Sequence, residues 1–147
     1  MKKMGRILAI DYGQKRVGIA VSDVMHISAN GLTTLPVNEV FPFLEKYLVQ
    51  ENVETIVVGF PRQMNGKESD SMKFIRPFVA KLVQKFPQIE LIYEDERFTS
   101  VLAHKTMLEG GLKKKGRQNK ALVDKISATI ILQSYLESVR YKNERNI

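Results

Sequence analysis

The chain has 147 residues, of which 44% are hydrophobic and 27% are charged, and its formal net charge is +7. This length and composition predict one globular domain with its own core, which we place at residues 1–140, with a disordered tail at 141–147. The absence of cysteine excludes disulfides and thiolate metal sites and favours a cytoplasmic location. No apolar stretch is long enough to predict a membrane span.

The positive charge is concentrated in one segment. Residues 1–112 hold 14 basic and 13 acidic side chains, whereas residues 113–120, KKKGRQNK, hold five basic side chains and no acid. Concentrated charge of this kind attracts polyanions such as nucleic acid. A solvated, flexible loop is the alternative interpretation, and the charge pattern alone leaves both open.

The first two predicted strands form a hairpin. Apolar runs at 7–10 and 17–21 are separated by Gly-Gln-Lys-Arg, and short apolar runs bounded by glycine are typical of buried strands. Asp11 ends the first run. A carboxylate beside a buried strand is costly unless it is paired or bound to a metal. Because Asp also commonly begins tight turns, a functional role and a turn-forming role for Asp11 are both open on this segment alone.

The remaining pattern alternates strands and helices. Strands are predicted over 31–37, 54–60 and 89–93, and helices over 39–50, 71–86, about 100–110 and 120–139, with Asn38 as the N-cap of the first helix. Three consecutive strands with short connections predict an antiparallel meander, and strands reached through a helix should run parallel. We therefore expect an α/β fold with a mixed five-stranded sheet, three antiparallel strands then two parallel ones, flanked by helices.

Acidic residues interrupt or end the apolar elements at three places. Asp11 ends the first strand, Asp95 and Glu96 follow the fifth, and Asp124 lies on a face of the last helix that also carries small residues. Ligands of open α/β sheets bind beyond the carboxyl ends of the strands, where Asp11 and Glu96 would meet. Carboxylates without His or Cys suit Mg²⁺ or Mn²⁺, and two such ions about 3.5–4 Å apart can clamp a phosphodiester. Singly, each acid also fits a solvated loop or a polar helix face, but their joint placement favours a metal site.

Four segments of the chain resemble the blocks of the YqgF/RuvX family. They occur in order over nearly the whole chain and read LAIDYGQKRVGIAVSD, VVGFPRQMNGK, YEDERFTS and VDKISATIILQSYL. The resemblance implies a ribonuclease H-like fold related to the Holliday-junction resolvase RuvC. It also implies a nuclease that processes the 5′ end of the 16S ribosomal RNA precursor, and relatives have been proposed to act like resolvases on branched DNA.

The resemblance also implies the site residues. Its acidic positions fall on Asp11, on Glu96 with Asp95 beside it as an additional acid, and on Asp124, as catalytic residues and metal ligands. RuvC-type resolvases carry an acid near the end of the fourth strand, where this chain has Gly-Phe-Pro, so the third ligand is expected from YEDERFTS. We expect phosphates to be held by basic side chains: Lys15, Arg16, Lys113, Lys114, Lys115, Arg117 and Lys120.

Two functions of different classes are open. One is metal-dependent hydrolysis of ribosomal precursor RNA or branched DNA, and a phosphodiester site alone does not distinguish these substrates. The other is an inactive fold that binds RNA or a ribosome-associated protein through the basic segment. Only the first predicts that Asp11→Asn abolishes cleavage. A sugar kinase or actin-like ATPase is excluded by length, because those enzymes close two such domains around ATP. The sequence predicts no oligomeric state.

Overall fold

The computed structural model describes residues 5–60, 71–95 and 120–145. Within these ranges, five strands form one sheet in the order β3-β2-β1-β4-β5. The elements are β1 (Arg6–Tyr12), β2 (Arg16–Ser22), β3 (Ala29–Pro36), α1 (Val40–Gln50), β4 (Val53–Phe60), α2 (Met72–Lys85), β5 (Glu90–Asp95) and α3 (Lys120–Arg145). The helix predicted over 100–110 lies outside the described residues. None of the described helices is long and apolar enough to cross a membrane.

Strand directions confirm the predicted mixed sheet. β1 pairs antiparallel with β2, and β2 pairs antiparallel with β3, so the first three strands form a meander. β4 runs parallel to β1, and β5 runs parallel to β4. The carboxyl ends of β1, β4 and β5 therefore lie along one edge of the sheet, which we call the upper edge.

The two faces of the sheet carry separate cores. On one face Leu8 and Ile10 pack with side chains from α1 and α2, and on the other Ile7 and Ala9 pack with side chains from α3. This division follows from strand geometry, because successive side chains point to opposite faces. β4 is buried on both faces along its apolar residues 56–58, as is typical of a central parallel strand.

Small residues let α3 approach the sheet closely. Ser127 and Ala128 of this helix are buried against the sheet, with exposed fractions of 7% and 0%. A Cβ added to Gly18 of β2 would overlap the main-chain carbonyl oxygen of Asp124. The face of α3 that holds Asp124 therefore packs directly on β2, which the small residues of that face allow.

The ends of two helices differ from the prediction. Asn38 is not the N-cap of α1, because a 3₁₀ turn at Val37–Glu39 precedes the helix and Glu39 occupies the cap position. Short 3₁₀ turns are common at helix N-termini. α3 continues to Arg145, beyond the end predicted near 139, because Lys, Glu and Arg favour helix and neither Gly nor Pro interrupts them.

A compact turn joins β2 to β3 at the edge opposite the upper edge. The carboxylate of Asp23 accepts hydrogen bonds from the main-chain N–H groups of Ile27 at 2.7 Å, Ser28 at 2.8 Å and Met25 at 3.1 Å. The hydrogen bond from Ser28 is the largest cause that holds the pKa of Asp23 below its ordinary value. The ionised carboxylate therefore stabilises this turn.

Candidate active site

Asp11 lies on the face of the sheet that α3 covers. It is the next-to-last residue of β1 and is half-buried. Ile7 and Ala9 of the same strand belong to the core beneath α3, so alternation points Asp11 to that face as well. Its register partner on β2 is Gly18. The apolar run of β1 thus presents a carboxylate at the upper edge, on the side of α3.

Asp124 reaches the same place from α3. Its main-chain carbonyl covers Gly18, the residue that pairs with Asp11. Paired residues on neighbouring antiparallel strands have Cα atoms about 4.5–5.5 Å apart, so the backbone of Asp124 stands one strand away from Asp11. The structure therefore brings together two of the three predicted acidic positions.

An ion pair holds the carboxylate of Asp124. The Nε of Arg16 donates to its Oδ2 at 2.8 Å, and the two side chains are 38% and 24% exposed. Arg16 begins β2 and, by alternation with Gly18, points to the α3 face. Ion pairs this exposed contribute about 0.2–1 kcal/mol, so the pair can rearrange at little cost. Arg16, which was predicted to contact phosphate, therefore pairs with Asp124, which was predicted to bind metal.

The turn between β1 and β2 lies beside this ion pair. Gly13 fits there because a Cβ would overlap the carbonyl oxygen of Arg16. Lys15 is exposed on the turn, and its carbonyl accepts a hydrogen bond from the N–H of Val37 at 3.0 Å. An open cleft of about 400 Å³ is lined by this turn and by Tyr12, Arg16, Ser71, Phe74 and Asp124.

β5 presents Glu94, rather than Asp95, to the face that holds Asp11. Ile92 packs against the core beneath α3, so alternation points Glu94 to the same face and Asp95 to the face of α1 and α2. The Oγ of Ser134 on α3 donates to the Oε1 of Glu94 at 2.9 Å. The structure therefore does not bring Asp95 to the side of Asp11 and Asp124.

A glycine separates Glu94 from Asp11 across the sheet. Glu94 pairs with Gly59 of β4. The register that pairs Ile10 with Val58 puts Asp11 beside Gly59 at the next position. No β4 side chain therefore stands between the two acids.

Several predicted site residues lie outside the described residues: Glu96, Lys113, Lys114, Lys115 and Arg117. Lys120 is the first residue of α3, and only its backbone is described. Within 5–60, 71–95 and 120–145, no group of three Asp, Glu or His side chains is placed to hold a metal ion. Asp11 and Asp124 supply hard oxygen donors of the class that Mg²⁺ and Mn²⁺ bind. The described carboxylates therefore fit part of a divalent-cation site that needs a further donor.

Comparison with known sequences identifies similar proteins along almost the whole chain. The family described as "RuvX: Holliday junction resolvase" matches residues 5–138. A Bacteroides fragilis protein provisionally named a pre-16S rRNA nuclease is 64% identical over 137 residues, which cover 93% of this chain and 99% of that protein. A Flavobacterium johnsoniae protein of the same name is 54% identical over 138 residues, 94% of this chain and 100% of that protein.

A solved structure shares the fold. T. thermophilus RuvC, in complex with a Holliday junction substrate, matches 92% of this chain and 96% of its own with a TM-score of 0.52 and 18% identity. At an identity this low, the similarity shows a shared fold and nothing further. Together with the mixed sheet, the similarity confirms the predicted ribonuclease H-like fold.

Proposed function

This chain belongs to the RuvX family, and from that premise we propose that it is a nuclease that hydrolyses nucleic-acid phosphodiester bonds with Mg²⁺ or Mn²⁺. The substrate we propose is the 5′ end of the 16S ribosomal RNA precursor, in keeping with the names of its relatives. The observation that carries the proposal is the packing of Asp124 over Gly18, the register partner of Asp11. It supports a pair of carboxylates held by rigid elements at the edge where α/β sheets bind ligands.

The carboxylates of Asp11 and Asp124 would hold the cation, with Glu96 as the expected third ligand and Glu94 facing the same side. A bound divalent cation supplies Lewis-acid stabilisation of the phosphodiester and lowers the pKa of its water, and a second ion would divide these two tasks. The chain contributes the position of the carboxylates. β1 and α3 are anchored in the core, and Ser134 orients Glu94 through its hydrogen bond.

Basic side chains beside the carboxylates would hold the substrate phosphates. The Nε of Arg16 donates to Asp124, and the planar guanidinium carries further N–H donors that match phosphate oxygens. Lys15 adds an exposed positive charge on the same cleft. These contacts would draw the substrate backbone towards the carboxylates and offset its charge.

Branched DNA is the second candidate substrate. The family is described as a Holliday junction resolvase, and the RuvC structure with the same fold holds a Holliday junction. The carboxylate pair serves hydrolysis of either backbone, because it reads neither bases nor the 2′-hydroxyl. Direct comparison of the two substrates is therefore part of the test.

The test incubates the purified protein with Mg²⁺ or Mn²⁺ and either precursor 16S RNA or a four-way DNA junction. We expect metal-dependent cleavage that Asp11→Asn abolishes while the fold and nucleic-acid binding remain. Asp23→Asn, at the opposite edge of the sheet, is the matched control and should cleave like the wild type. Unchanged cleavage by Asp11→Asn would refute the assignment.

The alternative of an inactive binding module predicts a different result. Replacing the basic side chains of 113–120 would then remove the function, and Asp11→Asn would have no effect. Contact with ribosome-associated proteins, the cytoplasmic location and the domain limits 1–140 stay predictions.

A further inference from the structure

A groove between α1 and α2 opens on the face of the sheet opposite α3. It has a volume of about 720 Å³, and its lining includes Tyr12 and Phe74, which also line the cleft that contains Asp124. α1 and α2 follow β3 and β4, and both of these strands end at the upper edge. The groove therefore starts at the candidate active site and continues along α2.

Aromatic rings form the floor of this groove. The ring centres of Tyr12 and Phe78 lie 4.5 Å apart, and those of Phe78 and Phe41 lie 5.4 Å apart. At the entrance, Phe74 is 39% exposed. An exposed ring offers a surface on which a nucleic-acid base can stack, and such stacking tolerates every base.

α2 forms a basic wall along the groove. Its 14 residues include four basic side chains and no acid. Lys73, Lys81 and Lys85 line the groove, and their spacing in multiples of four places them on one side of the helix over about 18 Å. The Nζ of Lys81 lies 4.5 Å from the ring centre of Phe41. Among the described lining residues Glu45 is the one acid, and it pairs with Lys85 at 2.8 Å.

We propose that this groove binds a single-stranded segment of nucleic acid that continues from the phosphate at the upper edge. The inference rests on the proposed function, because it takes Asp11 and Asp124 as the place of cleavage. Lysines along one side of α2 match a chain of phosphates, and the exposed ring of Phe74 matches an unpaired base. A duplex keeps its bases stacked inside and has none to place on the ring.

The test measures binding separately from cleavage. The full-length Asp11→Asn variant, in chelator, is titrated against a fluorescently labelled single-stranded RNA, and anisotropy gives the affinity. Phe74→Ala should weaken binding roughly 5- to 150-fold, the loss expected for one stacked base. Val83→Ala is the matched control, because Val83 lies on the same helix, is 49% exposed and does not line the groove. Phe74→Tyr, which keeps the ring, should restore the affinity.

The lysines are tested through salt dependence. Replacing Lys73 and Lys81 by Gln should reduce the slope of log affinity against log salt by about 0.7 for each lysine. Lys46→Gln, an exposed lysine on α1 that does not line the groove, should leave the slope unchanged. These side chains are exposed, so thermal melting should confirm that every variant is folded.

Equal binding by groove variants and control variants would overturn the proposal. So would an equal loss of affinity for a duplex when Phe74 is replaced, because a duplex offers the ring no base. Cleavage is measured separately, in protein that keeps Asp11. If that protein cuts neither substrate while Phe74→Ala still weakens RNA binding, the proposed nuclease function fails and the groove is supported as a nucleic-acid site.

Discussion

Replacing Gly18 by Ala should push α3 away from the sheet. The new Cβ would overlap the carbonyl carbon and oxygen of Asp124 and lie 3.2 Å from the main-chain nitrogen of Lys125. These atoms belong to the backbone of a helix, so they can yield only if the helix shifts. Overpacking of this kind costs about 1–3 kcal/mol. In a chain of this size, each kcal/mol lowers the melting temperature by about 2–4 °C.

Gly31→Ala provides the matched control for this prediction. Gly31 lies in β3, also beneath α3, but its Cβ would meet the Cγ of Lys125 at 2.8 Å and the Oγ1 of Thr129 at 3.2 Å. A long side chain can rotate away at little cost. Ala also lowers the conformational entropy of the unfolded chain, which stabilises the folded state by about 0.4–1 kcal/mol and offsets part of any packing cost. We expect the free energy of unfolding of this variant to lie within about 1 kcal/mol of the wild-type value.

Urea unfolding followed by circular dichroism measures both variants, and cleavage assays follow below their melting temperatures. A shift of about 1 Å in Asp124 relative to Asp11 should slow cleavage about 100-fold in Gly18→Ala, whereas Gly31→Ala should retain the wild-type rate. Equal unfolding midpoints for the two variants would show that Asp124 does not pack on Gly18. The geometric basis for pairing Asp11 with Asp124 would then be lost.

The other predictions concern single charges. Arg16→Gln should tighten Mn²⁺ binding in calorimetry, because a cation no longer competes for the Oδ2 of Asp124; unchanged affinity would mean that the ion pair lies outside the metal site. Glu94→Gln should slow cleavage more than Asp95→Asn, since alternation points only Glu94 to the α3 face, and the reverse order would refute this placement. Because the pKa of Asp23 is lowered in the folded state, its ionised carboxylate stabilises the fold at pH values above the ordinary pKa of 3.8. This stabilisation is lost as the pH falls through the lowered pKa. Urea midpoints of wild type and Asp23→Asn should therefore differ at neutral pH and converge in acid, and a difference that does not depend on pH would contradict this.

The sheet could be predicted because its strands are short apolar runs between turn residues. In β4, Ile56, Val57 and Val58 are at most 1% exposed, as expected for a central strand covered on both faces. The end of β5 could not be predicted in the same way. Glu and Asp are poor strand formers, so the strand was expected to stop at 93, yet pairing with β4 extends it through Asp95. Alternation along this longer strand is what identifies Glu94 as facing the site.

Helical periodicity predicted the direction of the buried stripe of α2 better than its width. The apolar residues of α2 at helical spacing include Phe74, Ile75, Leu82 and Val83; Ile75 and Leu82 are buried, whereas Phe74 and Val83 are 39% and 49% exposed. Spacing along a helix shows which way the stripe points, but its width depends on how far the neighbouring elements reach. The sequence likewise gives no signal for the ion pair between Arg16 and Asp124, residues 108 positions apart. That contact exists because α3 packs on β2.

The end of β1 connects the two faces of the sheet. Asp11 points to α3 and its carboxylate partner, while Tyr12, the next residue, contacts Phe78 in the core beneath α1 and α2. A nucleic-acid strand that crosses the upper edge at β1 would therefore pass from the carboxylates on one face of the sheet to the groove on the other. A one-residue slip would exchange the two faces and move Asp11 into the groove. Such a slip would place the larger Leu8 and Ile10 beneath the closely packed α3, where Ile7 and Ala9 now lie, so the packing of β1 in the two cores opposes it and keeps Asp11 on the α3 face.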